Sequence, residues 1–464
     1  MKKGVQEMGT IFDTAIVNGI IVLEHRAVRG TLLIQNGKIA GITDGDSAVE
    51  CKQLIDAEGR VILPGAIDPH VHLWEPGPQD YREDYRCGSQ AAASGGVTTL
   101  IEMPLSVPPV IDRESFQLKK DIADRHCLID FALWGGLIPA SADRLSEMHE
   151  LGCVGYKAFI SYANDNYPHT PDDILFKAMK HAAKFNGLIG VHAENADIVE
   201  AASKEMEQSG VLDPESYPDG RPALAELEAM ERAIRFAENA GCRLHIVHMS
   251  VAEGGELVRK AKKRGVKVSN ETCPHYLLFD KSILREKGPF AKCNPPIRSY
   301  ENKEALWEQL FKGNIDFIGS DHSPYTDEEK LKGKHNIWEA PPGFGGIDVL
   351  LPAMISEGVN ARGLGLVELA KLVSTNVAKA FELYPKKGTI TVGSDADLAI
   401  VDLNEEWVYK GESSFSKTKS SQGIYEGYRF KGKVKITMVR GSVVYENGKI
   451  TGDASYGEFV AIQR

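Results

Sequence analysis

Residues 61–73 read VILPGAIDPHVHL: an apolar run, then Asp68, then His70 and His72 two positions apart. Near-continuous apolar character marks a parallel strand buried on both faces. The side-chain period of two sets both imidazoles on one face of that strand, as two ligands of one metal require. Alone the pair is weak evidence, because 13 histidines in 464 residues readily give H-x-H triplets by chance. A hydrogen-bonded pair of core or surface histidines explains it equally well.

Seven further apolar runs follow: VTTLIEMP (97–104), LIDFALWGG (128–136), VGYKAFI (154–160), LIGVHAE (188–194), RLHIVHMS (243–250), VKVSNETCP (266–274) and IDFIGSDHS (315–323). Helical stretches separate them, such as DDILFKAMKHAAKF (172–185) and LAELEAMERAIRFAENA (224–240). Eight β/α units are the count for a (β/α)8 barrel of the TIM type. An open doubly wound sheet fits less well. Polar residues recur here at the ends of strands 1, 4, 5, 6 and 8, whereas an open sheet gathers them at one switch point.

Both chain ends have a different texture. TAIVNGIIVL and GTLLIQNGKIAGIT are rich in β-branched residues, and Asn-Gly at 18–19 and 36–37 is a hairpin signal. ADLAIVDL (396–403) and KVKITMVRGSVVYENGKI (433–450), with Asn447-Gly448, read alike. Each end is too short to bury a core alone. The expected α/β architecture is therefore a barrel over 66–388 and one small β-sandwich built from 1–65 and 389–464.

The chain is 42% hydrophobic and 26% charged, an ordinary globular balance that excludes disordered and fibrous classes. A net charge of −11 repels phosphate backbones and anionic lipid, so neither nucleic acid nor membrane is an expected partner. Met1–Thr10 carries two lysines but no apolar h-region behind them. Seven cysteines without a C-x-x-C pair read as a reduced, cytoplasmic chain lacking a disulfide framework. Nucleotide-binding G-x-G-x-x-G and P-loop motifs and a G-x-S-x-G elbow are missing.

His192 closes strand 5, His248 strand 6 and Asp321 strand 8. In a barrel these ends meet His70 and His72 at the C-terminal mouth. Each residue alone is explained by packing; five at matching strand ends are not. Imidazoles with a carboxylate suit Zn²⁺, with Mn²⁺, Fe²⁺ or Co²⁺ compatible with the same N/O donors. Lys157 sits inside an apolar strand, where an unpaired amine is costly. A salt bridge to a core carboxylate, or snorkelling past the strand end, are its ordinary explanations.

DPHVHLWEPG, AAASGGVTTLIEMP, GYKAF, VHAEN, HIVHMS, ETCPHY, KCNPPIR and GSDHSP together resemble the cyclic amidohydrolases, a group of allantoinases, hydantoinases, dihydropyrimidinases and dihydroorotases. The resemblance covers nearly the whole chain. It implies two divalent ions: one held by His70, His72 and Asp321, the other by His192 and His248. Lys157, as N6-carboxylysine, and a hydroxide would bridge the two ions. It further implies that the hydroxide opens a cyclic ureide ring, with Asp321 moving the proton, and that the protein is a homo-oligomer, tetramer or dimer.

Substrate signals divide. Dihydroorotases carry Arg two residues after the second His, to pair a substrate carboxylate; here the residue is Trp74, which cannot. Glu75-Pro76-Gly77, Glu102-Met103-Pro104-Leu105, Trp134-Gly135-Gly136-Leu137 and Cys273-Pro274-His275-Tyr276 resemble allantoinases most, making allantoin the leading substrate. Tyr162 matches a tyrosine with which hydantoinases and dihydropyrimidinases steady the oxyanion, and the loop around Gly343 departs from the allantoinase pattern. Trp74, Asn294 and Gly343 are the expected substrate contacts, the last two through backbone groups. A non-catalytic scaffold on the same fold is the rival of another class, and six intact ligand positions count against it.

Overall fold

The structure, a computed structural model, describes residues 11–43, 45, 49–419 and 423–462. The Met1–Thr10 segment lies outside them. Five strands open the described chain: β1 (Phe12–Val22), β2 (Ala27–Gln35), β3 (Lys38–Thr43), β4 (Cys51–Asp56) and β5 (Val61–Pro64). Asn36-Gly37 turns the chain between β2 and β3, as expected. Asn18-Gly19 does not. β1 runs through it, and its register against β2 slips between Ile16 and Gly19, a β-bulge. A Cβ at Gly19 would stand 2.4 Å from Ile62 Cδ1, so close packing against β5 requires the glycine rather than a chain reversal.

Residues 61–73 do not form one strand. The run divides at Gly65, where a Cβ would meet Thr98 Oγ1 at 2.1 Å. Val61–Pro64 belong to the sheet of the chain ends, and β6 (Ala66–Val71) is the first stave of the barrel. The barrel continues with β7 (Val97–Glu102), β8 (Asp130–Leu133), β9 (Gly135–Gly136), β10 (Tyr156–Phe159), β11 (Leu188–His192), β12 (Arg243–Ile246), β13 (Val268–Thr272) and β14 (Phe317–Ile318). All pair in parallel.

β8 and β9 form one interrupted stave. Between them Trp134 turns its indole inward and donates to Pro69 O at 3.0 Å. The ring closes where Val71 bridges His322 and the His72 N–H donates to His322 O at 2.7 Å. Ile67, Ile101, Trp134 and Phe317 pack inside the barrel. Among the described residues no helix is long and apolar enough to cross a membrane.

β15 (Leu398–Val408), β16 (Arg429–Val439), β17 (Ser442–Glu446) and β18 (Lys449–Ile450) close the chain. They join β5, β1, β2 and β3 in the order β18-β17-β16-β15-β5-β1-β2-β3, with β4 beside β1. The β domain is thus one forked sheet drawn from both chain ends, and its two halves share a core of Ile16, Leu32, Ile62, Leu398, Ile400 and Met438.

Candidate metal centre

The C-terminal mouth of the barrel holds a cavity lined by His70, His72, His192, His248 and Asp321. Trp74, Tyr162, Asn294 and Gly343 line it as well. Lys157 is fully buried on β10, two positions from Phe159 and so on the same face of the strand. Three of the ligand candidates lie beyond their expected strands, His72 by a single residue after β6. β12 stops at Ile246 and β14 at Ile318, so His248 and Asp321 extend from the loops that follow.

Ligand atoms of His70, His72 and Asp321 all lie within 4.8 Å of one another. Asp321 Oδ1 is 3.3 Å from His70 Nε2 and 3.6 Å from His72 Nε2. The rings of His192 and His248 are 4.5 Å apart, and His248 is 5.1 Å from His70. Lys157 Nζ has no hydrogen-bond partner among the described residues; the Phe159 ring lies 4.8 Å from it. Neither ordinary explanation holds: among the described residues no salt bridge reaches the amine, and it does not snorkel to solvent. Burial brings its pKa down to about 8.

Behind the imidazoles stand carboxylates that sequence reasoning missed. Glu271 Oε1 lies 2.6 Å from His70 Nδ1 and accepts the His248 N–H at 3.1 Å. Glu194 Oε2 lies 2.6 Å from His192 Nε2, and Arg221 Nε donates to Glu194 Oε1 at 3.1 Å. With those nitrogens engaged, His70 has Nε2 left for the cavity and His192 has Nδ1. Burial alone would raise both carboxyls, but His70 beside Glu271 and Arg221 beside Glu194 outweigh it and hold them well below the usual range. One signal was legible: Glu194 follows His192 by two positions, the spacing that keeps two residues on one face of a strand.

Burial also opposes ionisation of Asp321, yet His70 and His72 outweigh it and its carboxyl lies below its ordinary value. Burial pushes His72 down to about 4, favouring the neutral imidazole a metal needs. Three non-glycine residues of the cavity take left-handed backbone: Trp74 (φ 61°), His248 (φ 36°) and Asp321 (φ 51°). Such conformations cost about 1–3 kcal/mol each and cluster where function demands a particular side-chain direction. Asp68 braces the Asp321 turn, its Oδ1 accepting the Ser320 N–H at 3.0 Å.

On the rim, Trp74 Nε1 donates to Pro324 O at 3.0 Å. The Arg82 guanidinium lies 4.7 Å from the Trp74 ring and 4.4 Å from that of Tyr325 while pairing with Glu329. Tyr162 is 67% exposed, and its hydroxyl donates to Asp165 rather than pointing into the cavity. Asn294 Oδ1 accepts from Tyr217 Oη. The Gly343 N–H is spent on Lys292 O at 2.8 Å, so a substrate can take from Gly343 only its carbonyl.

His245 packs against Trp134 and Phe317, with Nε2 3.3 Å from Glu271 Oε2. His322 Nδ1 accepts the Gly346 N–H, and His275 is buried against Phe344. None of the three lines the cavity. Asp130, Asp395 and Asp397 also converge, but Lys387 Nζ already stands among them.

Residues 61–444 match the model of the amidohydrolase family. An allantoinase of Rubrobacter xylanophilus is 41% identical over 449 residues, 94% of this chain and 97% of that one. An allantoinase of Escherichia coli is 38% identical over 97% of this chain and 98% of its own. Among solved structures, the L-hydantoinase (dihydropyrimidinase) of Arthrobacter aurescens superposes with a TM-score of 0.95 at 36% identity, covering 97% of this chain and 100% of that one. The dihydropyrimidinase of Brevibacillus agri gives 0.90 at 30%, covering 97% and 99%.

Proposed function

The chain belongs to the amidohydrolase family, and from that premise we propose that it opens a cyclic ureide ring by hydrolysis, with allantoin as substrate and allantoate as product. The observation that carries the chemistry is the convergence of four imidazoles and Asp321 on one cavity beside a buried amine without a partner. Nitrogen and oxygen donors of this kind fit divalent first-row ions, zinc foremost. His70, His72 and Asp321 would hold one ion, and His192 and His248 a second.

The orphaned Lys157 Nζ fits carbamylation. The neutral amine would add to CO₂, forming an N–C bond and releasing one proton, and the resulting carbamate would offer carboxylate oxygens to the ions. Such ions, when bound, polarise an amide carbonyl and lower the pKa of water.

The protein's own groups do the rest. Asp321 accepts the proton of the attacking water and returns it to the ring nitrogen as the C–N bond breaks. Glu271 and Glu194 keep His70 and His192 in one tautomer and one orientation.

A neutral substrate suits the pocket. Trp74 stands where a carboxylate-binding Arg would be, and the Arg221 guanidinium is already committed to Glu194. The allantoinases at 38–41% identity support allantoin within the group. A second reading, hydrolysis of 5-substituted hydantoins or dihydropyrimidines, is favoured by the TM-score of 0.95 to an L-hydantoinase; Tyr162 lines the cavity but spends its hydroxyl on Asp165.

The test is kcat/KM of metal-replete protein, with bicarbonate present, on allantoin, the two enantiomers of a 5-substituted hydantoin, dihydrouracil and dihydroorotate. Allantoin should lead by about tenfold or more, equal to about 1.4 kcal/mol of transition-state discrimination. A hydantoin or dihydrouracil in first place transfers the assignment to the second reading. Hydrolysis of none of them overturns both.

A further inference from the structure

The cavity wall made by Asn294 and Gly343 is tied together from behind by a side chain with no place in the chemistry above. Lys330 lies on the short helix Asp327–Leu331 and is fully buried. Its three acceptors are all main-chain carbonyls: Gly343 O at 2.7 Å, Pro341 O at 2.9 Å and Lys292 O at 3.3 Å. Lys292 precedes Asn294 by two residues, and Gly343 lies on the opposing segment. Lys292 O also accepts the Gly343 N–H at 2.8 Å. One ammonium therefore bridges the two segments that face the substrate.

Two further observations give that bridge a direction. Lys292 points its own Nζ to Ile337 O at 2.9 Å and Trp338 O at 3.1 Å, so a second lysine fastens the same two segments further along. Glu329, the neighbour of Lys330, caps the helix and pairs with the Arg82 that stacks on Trp74. Two adjacent residues thus brace two walls of the cavity. Burial brings the Lys330 pKa down to about 7, with the neighbouring Glu329 opposing it only in part. A buried cationic donor is expensive unless its acceptors are fixed, and here they are main-chain groups of the substrate wall.

We propose that Lys330 is a positioning residue for substrate binding: it sets the separation of the Asn294 and Gly343 segments and the direction of the Gly343 carbonyl. The inference rests on the ureide-hydrolase reading, because it takes that wall to be where the ring is held. Lys330 does not line the cavity and bonds no ligand candidate, so its loss should misplace the ring and leave the metal centre intact.

The experiment compares wild type, Lys330→Met and Lys330→Gln as full-length, metal-replete proteins. KM and kcat are measured on the ureide that wild type opens best, with metal content and Tm alongside. Lys330→Met keeps the length of the stem and removes every donor. KM should rise about tenfold or more, as expected for loss of charged hydrogen bonds, with kcat falling less and metal content unchanged. Lys330→Gln keeps amide donors and should recover part of the KM.

A purely structural lysine would lower Tm and the active fraction while leaving KM at the wild-type value, and that result overturns the proposal. So does a rise in KM accompanied by metal loss. Should Lys330→Met fail to fold, Lys330→Gln decides on the same KM criterion. Wild-type protein that opens no ureide defeats the function reading and this inference together. An active wild type with an unmoved KM in the variants defeats this inference alone.

Discussion

Glu271 Oε1 stands 2.6 Å from His70 Nδ1, with both side chains about 1% exposed. The contact leaves His70 a single nitrogen for the cavity, and the same oxygen accepts the His248 N–H. One carboxylate therefore orients residues from both halves of the centre. Glu271→Gln keeps the shape and removes the charge. Metal affinity should fall about 10- to 100-fold, the usual effect of removing a histidine's carboxylate partner. Titration of metal-stripped protein with Zn²⁺ checks this, and unchanged affinity would remove Glu271 from the role.

Lys157→Met addresses the buried amine. Ring opening should be abolished and bound metal reduced, because the proposed carbamate could no longer form. The metal-free proteins should differ in the opposite sense. Wild type buries an amine without a partner, at a cost of about 1–3 kcal/mol, so metal-free Lys157→Met should unfold at the same temperature or higher. Thermal unfolding gives the comparison, and ¹³C-bicarbonate with NMR reports the carbamate directly. A variant with wild-type rate and metal content would end the carbamate idea.

Asp321→Asn isolates the proton transfer. Asp321 sits at φ 51°, in the left-handed region, which Asn tolerates as well as Asp does, so the backbone should hold. Loss of a group that acts in the transition state lowers kcat far more than it weakens substrate binding. Single-turnover kinetics separates the two, and an unchanged kcat assigns the proton to another residue.

What could be read from sequence was whatever the period of two displays. His70, His72 and His192 fall at strand ends, and the barrel follows from eight apolar runs with helices between them. What could not be read depends on contacts between distant segments. Glu271 reaches His70 across 201 residues, and Arg221 reaches Glu194 from another loop. The Asn18-Gly19 signal misled for a related reason. The small residue is demanded by Ile62, which neighbours it only once the two strands pair. Tyr162 is a case of direction: its position on the cavity wall was legible, but Asp165 turns its hydroxyl away.

The junction of barrel and β domain carries the last prediction. Lys387 Nζ is fully buried, 2.7 Å from Asp397 Oδ2 and 3.0 Å from Asp395 Oδ2, and also bonds Asp130 on β8. Lys387→Met leaves this cluster one positive charge short. Removing one partner of a buried ionic cluster costs about 3–5 kcal/mol, so a clear fall in stability to denaturant is expected at neutral pH. The pH dependence carries a sign. In wild type burial opposes ionisation of Asp395, yet Lys387 and Lys38 prevail and hold its carboxyl below 3.8. Its contribution to stability is therefore present above that value and lost as pH falls through and below it. Without Lys387, burial acts with less opposition and raises the carboxyl above its unfolded value. Mild acidification should then narrow the gap between variant and wild type. Urea unfolding at pH 7 and pH 5 tests it, and a gap that stays constant or widens at pH 5 would show that Lys387 does not hold these carboxylates ionised.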